Sequence, residues 1–327
     1  QTAHSHTSAG REVLTTKLIK AADVVIKKCL GVKKGERVVV VTDEPCRAVG
    51  YILWTRLRQT TDPILIEIAP RQIHGQEPPT TVAEVLKTND VFIKPTSRSL
   101  THTHARIDAC RRGARGTTMP GITLEMFERT MNVDYKQIAR LTRKLAKLLS
   151  RAKRATITNQ HGTRLDLYLT GRKGYIDTGS IKKPGQFSNL PAGEAYIAPL
   201  EALSNGSIVI DGSFAPIGFL KGKVFLEIEG GQIVNVRGNR KLKSIFNKYG
   251  KKERTLCEFG IGTNYEAKIT GEVLEDEKVL GTIHIAFGNN LGFGGKNKAR
   301  VHLDGVIKAP SVWLDGKLII KKGKYLI

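Results

Sequence analysis

Along this chain the apolar positions change rhythm. Between residues 12 and 30 they recur every three or four residues and stop at Gly31, which predicts a helix. The β-branched run in Glu36-Arg-Val-Val-Val-Val41 predicts a short strand, and Thr42-Asp43 turns the chain into a helix over Cys46–Gln59. The pattern repeats, with a strand at Pro63–Ile68, a helix at Thr80–Lys87 and a third strand at Asp90–Lys94. Strand, polar turn and helix in succession imply an α/β N-terminal domain, an open and mostly parallel sheet with flanking helices, over residues 11–152. Beyond Arg154 the period becomes two: Ala155–Asn159, Arg164–Leu169, Ser207–Gly212, Lys223–Gly231 and Gln232–Arg237 alternate between Gly and Asn turns, with a helical interruption at Lys243–Tyr249. Residues 153–327 therefore read as a β-rich α+β C-terminal domain, and no internal repeat is evident.

The last third adds chemistry to this pattern. In Gly281–Gly288, side chains alternate across the strand, so Ile283, Ile285 and Phe287 oppose Thr282, His284 and Ala286. Val301 and Leu303 oppose His302 and Asp304 in the same way. Imidazoles and a carboxylate on the polar faces of strands could hold a divalent cation, or could be ordinary hydrogen-bonded residues; His-x-Asp leaves both open. Glu194 and Glu258 stand in small and apolar surroundings, where an ionised carboxylate is costly unless it is paired or bound to metal. Together with His284, His302 and Asp304 they make five candidate ligands, enough for one or two divalent metals. After the third strand, the loop Thr96–Arg106 sits where ligands of open parallel sheets bind. His102 and His104 are its candidates for substrate contact, and its hydroxyls read as the cap of a helix reaching Arg112.

Composition narrows the function classes. A chain of 327 residues suits about two domains of ~150 residues. No run of 18 apolar residues predicts a membrane span, and no Gly-rich dinucleotide fingerprint follows the first strand. Cys29, Cys46, Cys110 and Cys257 are widely spaced and read as reduced core thiols of a cytoplasmic protein. The polar segment Gln1–Gly10 reads as a frayed lead-in. A net charge of +23 favours anionic partners, nucleic acid or another polyanion. The basic residues are nevertheless spread along the chain. The densest patch, Arg140–Arg154, has apolar positions at helical spacing and reads as an amphipathic helix with a solvated basic face. Polyanion binding is therefore a secondary expectation.

At several of these segments the chain resembles the metallo-aminopeptidases of the aminopeptidase T/leucyl aminopeptidase family. The matching stretches are Val40-Val-Thr-Asp, Ser99-Leu-Thr-His-Thr, Thr118-Met-Pro-Gly-Ile, Asn189-Leu-Pro-Ala-Gly-Glu194, Glu258-Phe-Gly-Ile-Gly-Thr-Asn and Glu275–Gly288. The resemblance implies metal ligands at Glu194, Glu258, His284, His302 and Asp304, and zinc, cobalt or manganese as cofactor; Glu258, or an unliganded member of the acidic run Glu275, Asp276 and Glu277, is the candidate catalytic base, with Glu258 preferred because the run reads as neutralising nearby lysines or capping a turn. The resemblance further implies a peptide substrate that loses its N-terminal residue to a metal-activated water, and a homodimer or larger oligomer. A sixth ligand of that family, a tyrosine a few residues after the first histidine, is absent; Asn289-Asn290-Leu291 stands there. The same superfamily includes a single-iron enzyme, 2,5-dihydroxypyridine 5,6-dioxygenase, whose ligands are two histidines and one aspartate. His284, His302 and Asp304 would satisfy that triad as well. Peptide hydrolysis is the leading expectation, ring-cleaving oxygenation the alternative, and a non-catalytic basic protein the third.

Overall fold

A computed structural model describes residues 15–327, so the Gln1–Gly10 segment and the first residues of the expected Glu12 helix lie outside the described residues. The helix starts at Thr16, where the Thr15 hydroxyl accepts from the Leu18 N–H, and widens into a π-helix over Val24–Cys29.

The N-terminal half carries a five-stranded parallel sheet in the order Ile64–Ile68, Val38–Asp43, Val91–Lys94, Arg115–Thr118, Phe187–Asn189. Val38 and Val40 enter one apolar cluster with Ile26 and Leu53, while Val39 and Val41 enter another with Leu86 and Phe92. Both faces of this strand are covered, which is why it reads as an unbroken valine run instead of an alternation. The pattern predicts no strand at Arg115–Thr118, because Arg-Gly-Thr-Thr contains nothing apolar, yet all four residues are buried. Gly116 permits this: a Cβ there would lie 2.3 Å from the Phe92 carbonyl oxygen. The Arg115 guanidinium is satisfied by Glu36 and by the carbonyls of Leu30 and Gly31. The fifth strand, Phe187–Asn189, comes from beyond residue 152 and pairs in parallel with the fourth.

In the C-terminal half, an eight-stranded and a seven-stranded antiparallel sheet share one core. Phe259, Ile261, Ile283, Ile285 and Phe287 of the smaller sheet pack with Ile157, Leu165, Ile208 and Leu226 of the larger. Each such side chain contributes roughly 1.5–3 kcal/mol on burial, which holds the apolar face inward and turns the alternate residues, His284 among them, to the opposite face.

The basic helix is longer than its pattern suggests. It runs from Tyr135 to Arg151, its N-terminus capped by the Asp134 carboxylate, and Arg154 opens the next strand instead. Tyr135 and Ile138 belong to the N-terminal core, and Leu145, Ala146 and Leu149 to the C-terminal one, so the helix rivets the halves together. Lys136, Arg140, Arg143, Lys144, Lys147 and Arg151 form its exposed stripe. The expected helix at Lys243–Tyr249 is found at Arg240–Lys248. No helix among the described residues is long and apolar enough to cross a membrane. The four cysteines are free thiols, with Cys29, Cys46 and Cys257 buried.

Candidate metal centre

Register in the seven-stranded sheet assembles the site. His284 stands between Gly260 and Val306, Ala286 between Glu258 and Asp304, and Gly288 opposite His302. Further along, Gly262 is opposite Glu194, which is opposite Asp177, and Gly260 is opposite Tyr196, which is opposite Tyr175. Directly opposed residues share a face, so these carboxylates, imidazoles and phenols all rise from one surface. Glycine makes room for them. A Cβ on Gly260 would lie 2.0 Å from His284 Nε2, so the imidazole occupies the space above that glycine.

His284 is fully buried, and its Nε2 lies 3.3 Å from Glu194 Oε2 and 3.3 Å from Glu258 Oε1. The second oxygen of Glu258 is 3.3 Å from His302 Nε2, which is also 3.4 Å from Asp304 Oδ1. His302 Nδ1 donates to the Asn289 carbonyl at 2.8 Å, which turns Nε2 toward the carboxylates. Burial pushes the Glu258 carboxyl upward, but hydrogen bonds from both imidazoles outweigh it and hold the group below the usual carboxylate range. Burial raises Glu194 to about 8, against the pull of the Lys278 ammonium. The His284 imidazolium is disfavoured by burial and favoured by the Glu258 and Glu194 carboxylates, which prevail and raise it to about 9. The Glu258 carboxylate and the His284 imidazolium thus hold each other in charged forms, whereas burial favours the neutral form of Glu194.

The donor set fits a divalent metal. Ligand atoms of Glu194, Glu258 and His284 lie within 4.8 Å of one another, as do those of Glu277, His284 and Asp304. Glu194 Oε2 and Asp304 Oδ1 are buried without a hydrogen-bond partner, a costly state that a bound cation would relieve.

A family profile described as NicX, 2,5-dihydroxypyridine 5,6-dioxygenase, matches residues 17–327. The chain belongs to this family. It is 23% identical over 192 residues to the 2,5-dihydroxypyridine 5,6-dioxygenase of Pseudomonas putida KT2440, an alignment covering 54% of this chain and 55% of that protein, about half the length of each. The solved structure of the Pseudomonas putida KT2440 2,5-dihydroxypyridine dioxygenase is similar with a TM-score of 0.80 at 18% identity, over 94% of this chain and 96% of that one. Wild-type AmpT from Thermus thermophilus is similar with a TM-score of 0.73 at 16% identity, over 96% and 100%. The likeness to the aminopeptidase T family is therefore one of fold, while the family whose profile fits is the dioxygenase one.

All five ligand candidates rise from one sheet face, with His302 beside Glu258 and Asp304 but in neither of the two ligand groups; the loop histidines differ in their surroundings. His102 is exposed but lies within electrostatic reach of His302: desolvation, then the charges of Arg106 and His302, hold its imidazole below the ordinary value. His104 is the first residue of the helix His104–Arg111, exposed, with its backbone N–H donating to Glu77. The Thr103 hydroxyl is the cap, accepting from the Arg106 N–H.

Several neighbours escape a reading of the sequence. Asp177, Tyr175 and Tyr196 lie on the same face, Tyr196 two residues after Glu194, a spacing from which its side could have been read. In the acidic run, Glu275 pairs with Arg129, and Asp276 accepts from the backbone of Thr270 and Gly271. Glu277 alone turns to the site. Where the peptidases' tyrosine is missing, Leu291 is half exposed, and Phe293 supplies an aromatic ring instead.

Proposed function

We propose that this chain is an iron-dependent dioxygenase that opens a hydroxylated nitrogen-heteroaromatic ring of the dihydroxypyridine type. The observation that carries this reading is the aromatic wall beside the candidate ligands. Phe293 lies 6.1 Å from the His302 ring and 5.4 Å from Tyr196, and Tyr196 stacks on Tyr175 at 5.7 Å. Half-buried rings in this position suit a flat substrate, each aromatic pairing adding ~0.5–1.5 kcal/mol beyond area burial. Membership of the dioxygenase family supports the same substrate class.

In this reading His284, His302 and Asp304 hold the metal, the first seated over Gly260 and the second fixed by the Asn289 carbonyl. Iron, when bound, would supply the one-electron chemistry that lets dioxygen react with a closed-shell ring. Glu258, between the two imidazoles, engages one with each carboxylate oxygen and so orients both. His102, exposed in the loop after the third strand and within electrostatic reach of His302, is available to hydrogen-bond a substrate hydroxyl.

Oxygen uptake by protein reconstituted anaerobically with ferrous iron and given 2,5-dihydroxypyridine tests the proposal. One equivalent of oxygen per ring opened is expected. A second reading, metallo-aminopeptidase, is favoured by Glu194 and Glu258, both 3.3 Å from His284 Nε2 as that family's ligand set would require. Absence of oxygen uptake together with hydrolysis of an amino-acid p-nitroanilide by the zinc- or cobalt-loaded protein would overturn the first reading for the second.

A further inference from the structure

Lys278 is among the largest fully buried side chains of the molecule, yet it lies among carboxylates and not in an apolar core. Its Nζ is 2.5 Å from Glu194 Oε1, 2.7 Å from Glu277 Oε1 and 3.3 Å from Asp177 Oδ2. The backbone beneath it is held firmly. The Lys278 carbonyl accepts from the Asn264 N–H at 2.8 Å, and the Asn264 amide donates to the Ala192 carbonyl, two residues before Glu194.

Glu194 and Glu277 belong to the two ligand groups that share His284, one with Glu258 and the other with Asp304. Without Lys278, those groups describe two cation positions flanking one imidazole. With it, one oxygen of each outer carboxylate is already bound to an ammonium. We propose that Lys278 stands in for a second divalent cation and holds this centre to one metal ion. The inference rests on the cluster being a metal centre, as in the reading above. A metal on Glu194 Oε1 or Glu277 Oε1 would sit ~2.0–2.2 Å from an oxygen already engaged by Lys278. Two like charges would then stand a few ångströms apart in a buried site, where Coulomb repulsion is little screened. The Glu194 oxygen that remains without a partner, Oε2, is the one beside His284 Nε2. A plain buried salt bridge, the competing explanation, predicts no change of metal count when the lysine is replaced.

Zinc titration by calorimetry and elemental analysis after desalting, on the full chain, test this without reference to activity. Wild type and Lys278→Arg are expected to bind one equivalent. Lys278→Met should bind two, and its thermal midpoint should rise more steeply with zinc than that of wild type. Lys278→Gln is read in the same way where Lys278→Met is not recovered folded. Two equivalents in the wild type overturn the proposal, as does a single equivalent in a folded, uncharged variant. Absence of zinc binding by wild type would instead sink the metal-centre reading itself, a failure distinct from an unchanged count in Lys278→Met.

Discussion

Alanine at position 260 would add one methyl group where the cross-strand neighbour's ring already sits. A Cβ there would lie 2.0 Å from His284 Nε2 and 2.1 Å from its Cε1, against ordinary contact from 3.4 Å. The imidazole must therefore retreat by about 1.4 Å, or the strands must part, whereas metal–ligand distances tolerate only ~0.2 Å. Gly260 lies outside the left-handed region, so the cost is steric and not a matter of backbone strain. Overpacking of this kind costs about 1–3 kcal/mol, which at roughly 2–4 °C per kcal/mol lowers the thermal midpoint by several degrees. Metal affinity should fall by at least ~10–100-fold, the loss typical when a ligand's support is removed. Calorimetric unfolding and zinc titration measure the two effects separately. The same substitution in a His284→Ala background should be close to neutral, because the ring it strikes is gone. Wild-type zinc affinity in Gly260→Ala, or equal destabilisation in both backgrounds, would refute the placement of His284 over Gly260.

Other outcomes follow from the same geometry. His284→Ala and Asp304→Asn should each abolish turnover and metal binding; an unchanged rate in His284→Ala refutes the site assignment. Phe293→Ala should raise KM for an aromatic substrate several-fold while bound metal stays constant, and a loss confined to kcat would show that the ring does not contact substrate. Glu36 tests a charge away from the site: the Arg115 guanidinium holds its carboxyl below the ordinary value. A depressed folded-state value means the contribution is full above the unfolded value of ~4.3 and is lost as pH falls through the folded one. Glu36→Ala should therefore cost about 1.5–3 kcal/mol in urea unfolding at pH 7, and the gap from wild type should narrow progressively as pH falls below the unfolded value of ~4.3. A gap that does not narrow at all as pH falls below ~4.3 would mean packing, not charge, is responsible.

How much of this was legible in the residues depends on whether the information was local. Runs such as Val38–Val41 and the alternation Ile283, Ile285, Phe287 follow from the period of a strand and the cost of leaving apolar surface in water, and both are found in strands. That same alternation placed His284 on one face and His302 with Asp304 on another strand's matching face, so the ligand types could be named from the chain alone. Arg115–Thr118 shows where locality fails. A buried strand without an apolar residue is stable only because Glu36, Leu30 and Gly31, distant in sequence, satisfy its arginine. His104 shows the converse, a ligand-type residue beside His102 that serves as the first residue of a helix. The count of cations was not legible either. The absent tyrosine near Leu291 drew attention to one loop, yet the carboxylates that would hold a second ion are occupied by Lys278, 84 residues from Glu194. The sequence by itself determined which face each side chain takes, because the two-residue period is a property of one strand. Only the tertiary structure decided which faces meet, because strand neighbours and register are set by the whole core, and charge, unlike hydrophobic pattern, acts on whatever folding brings near.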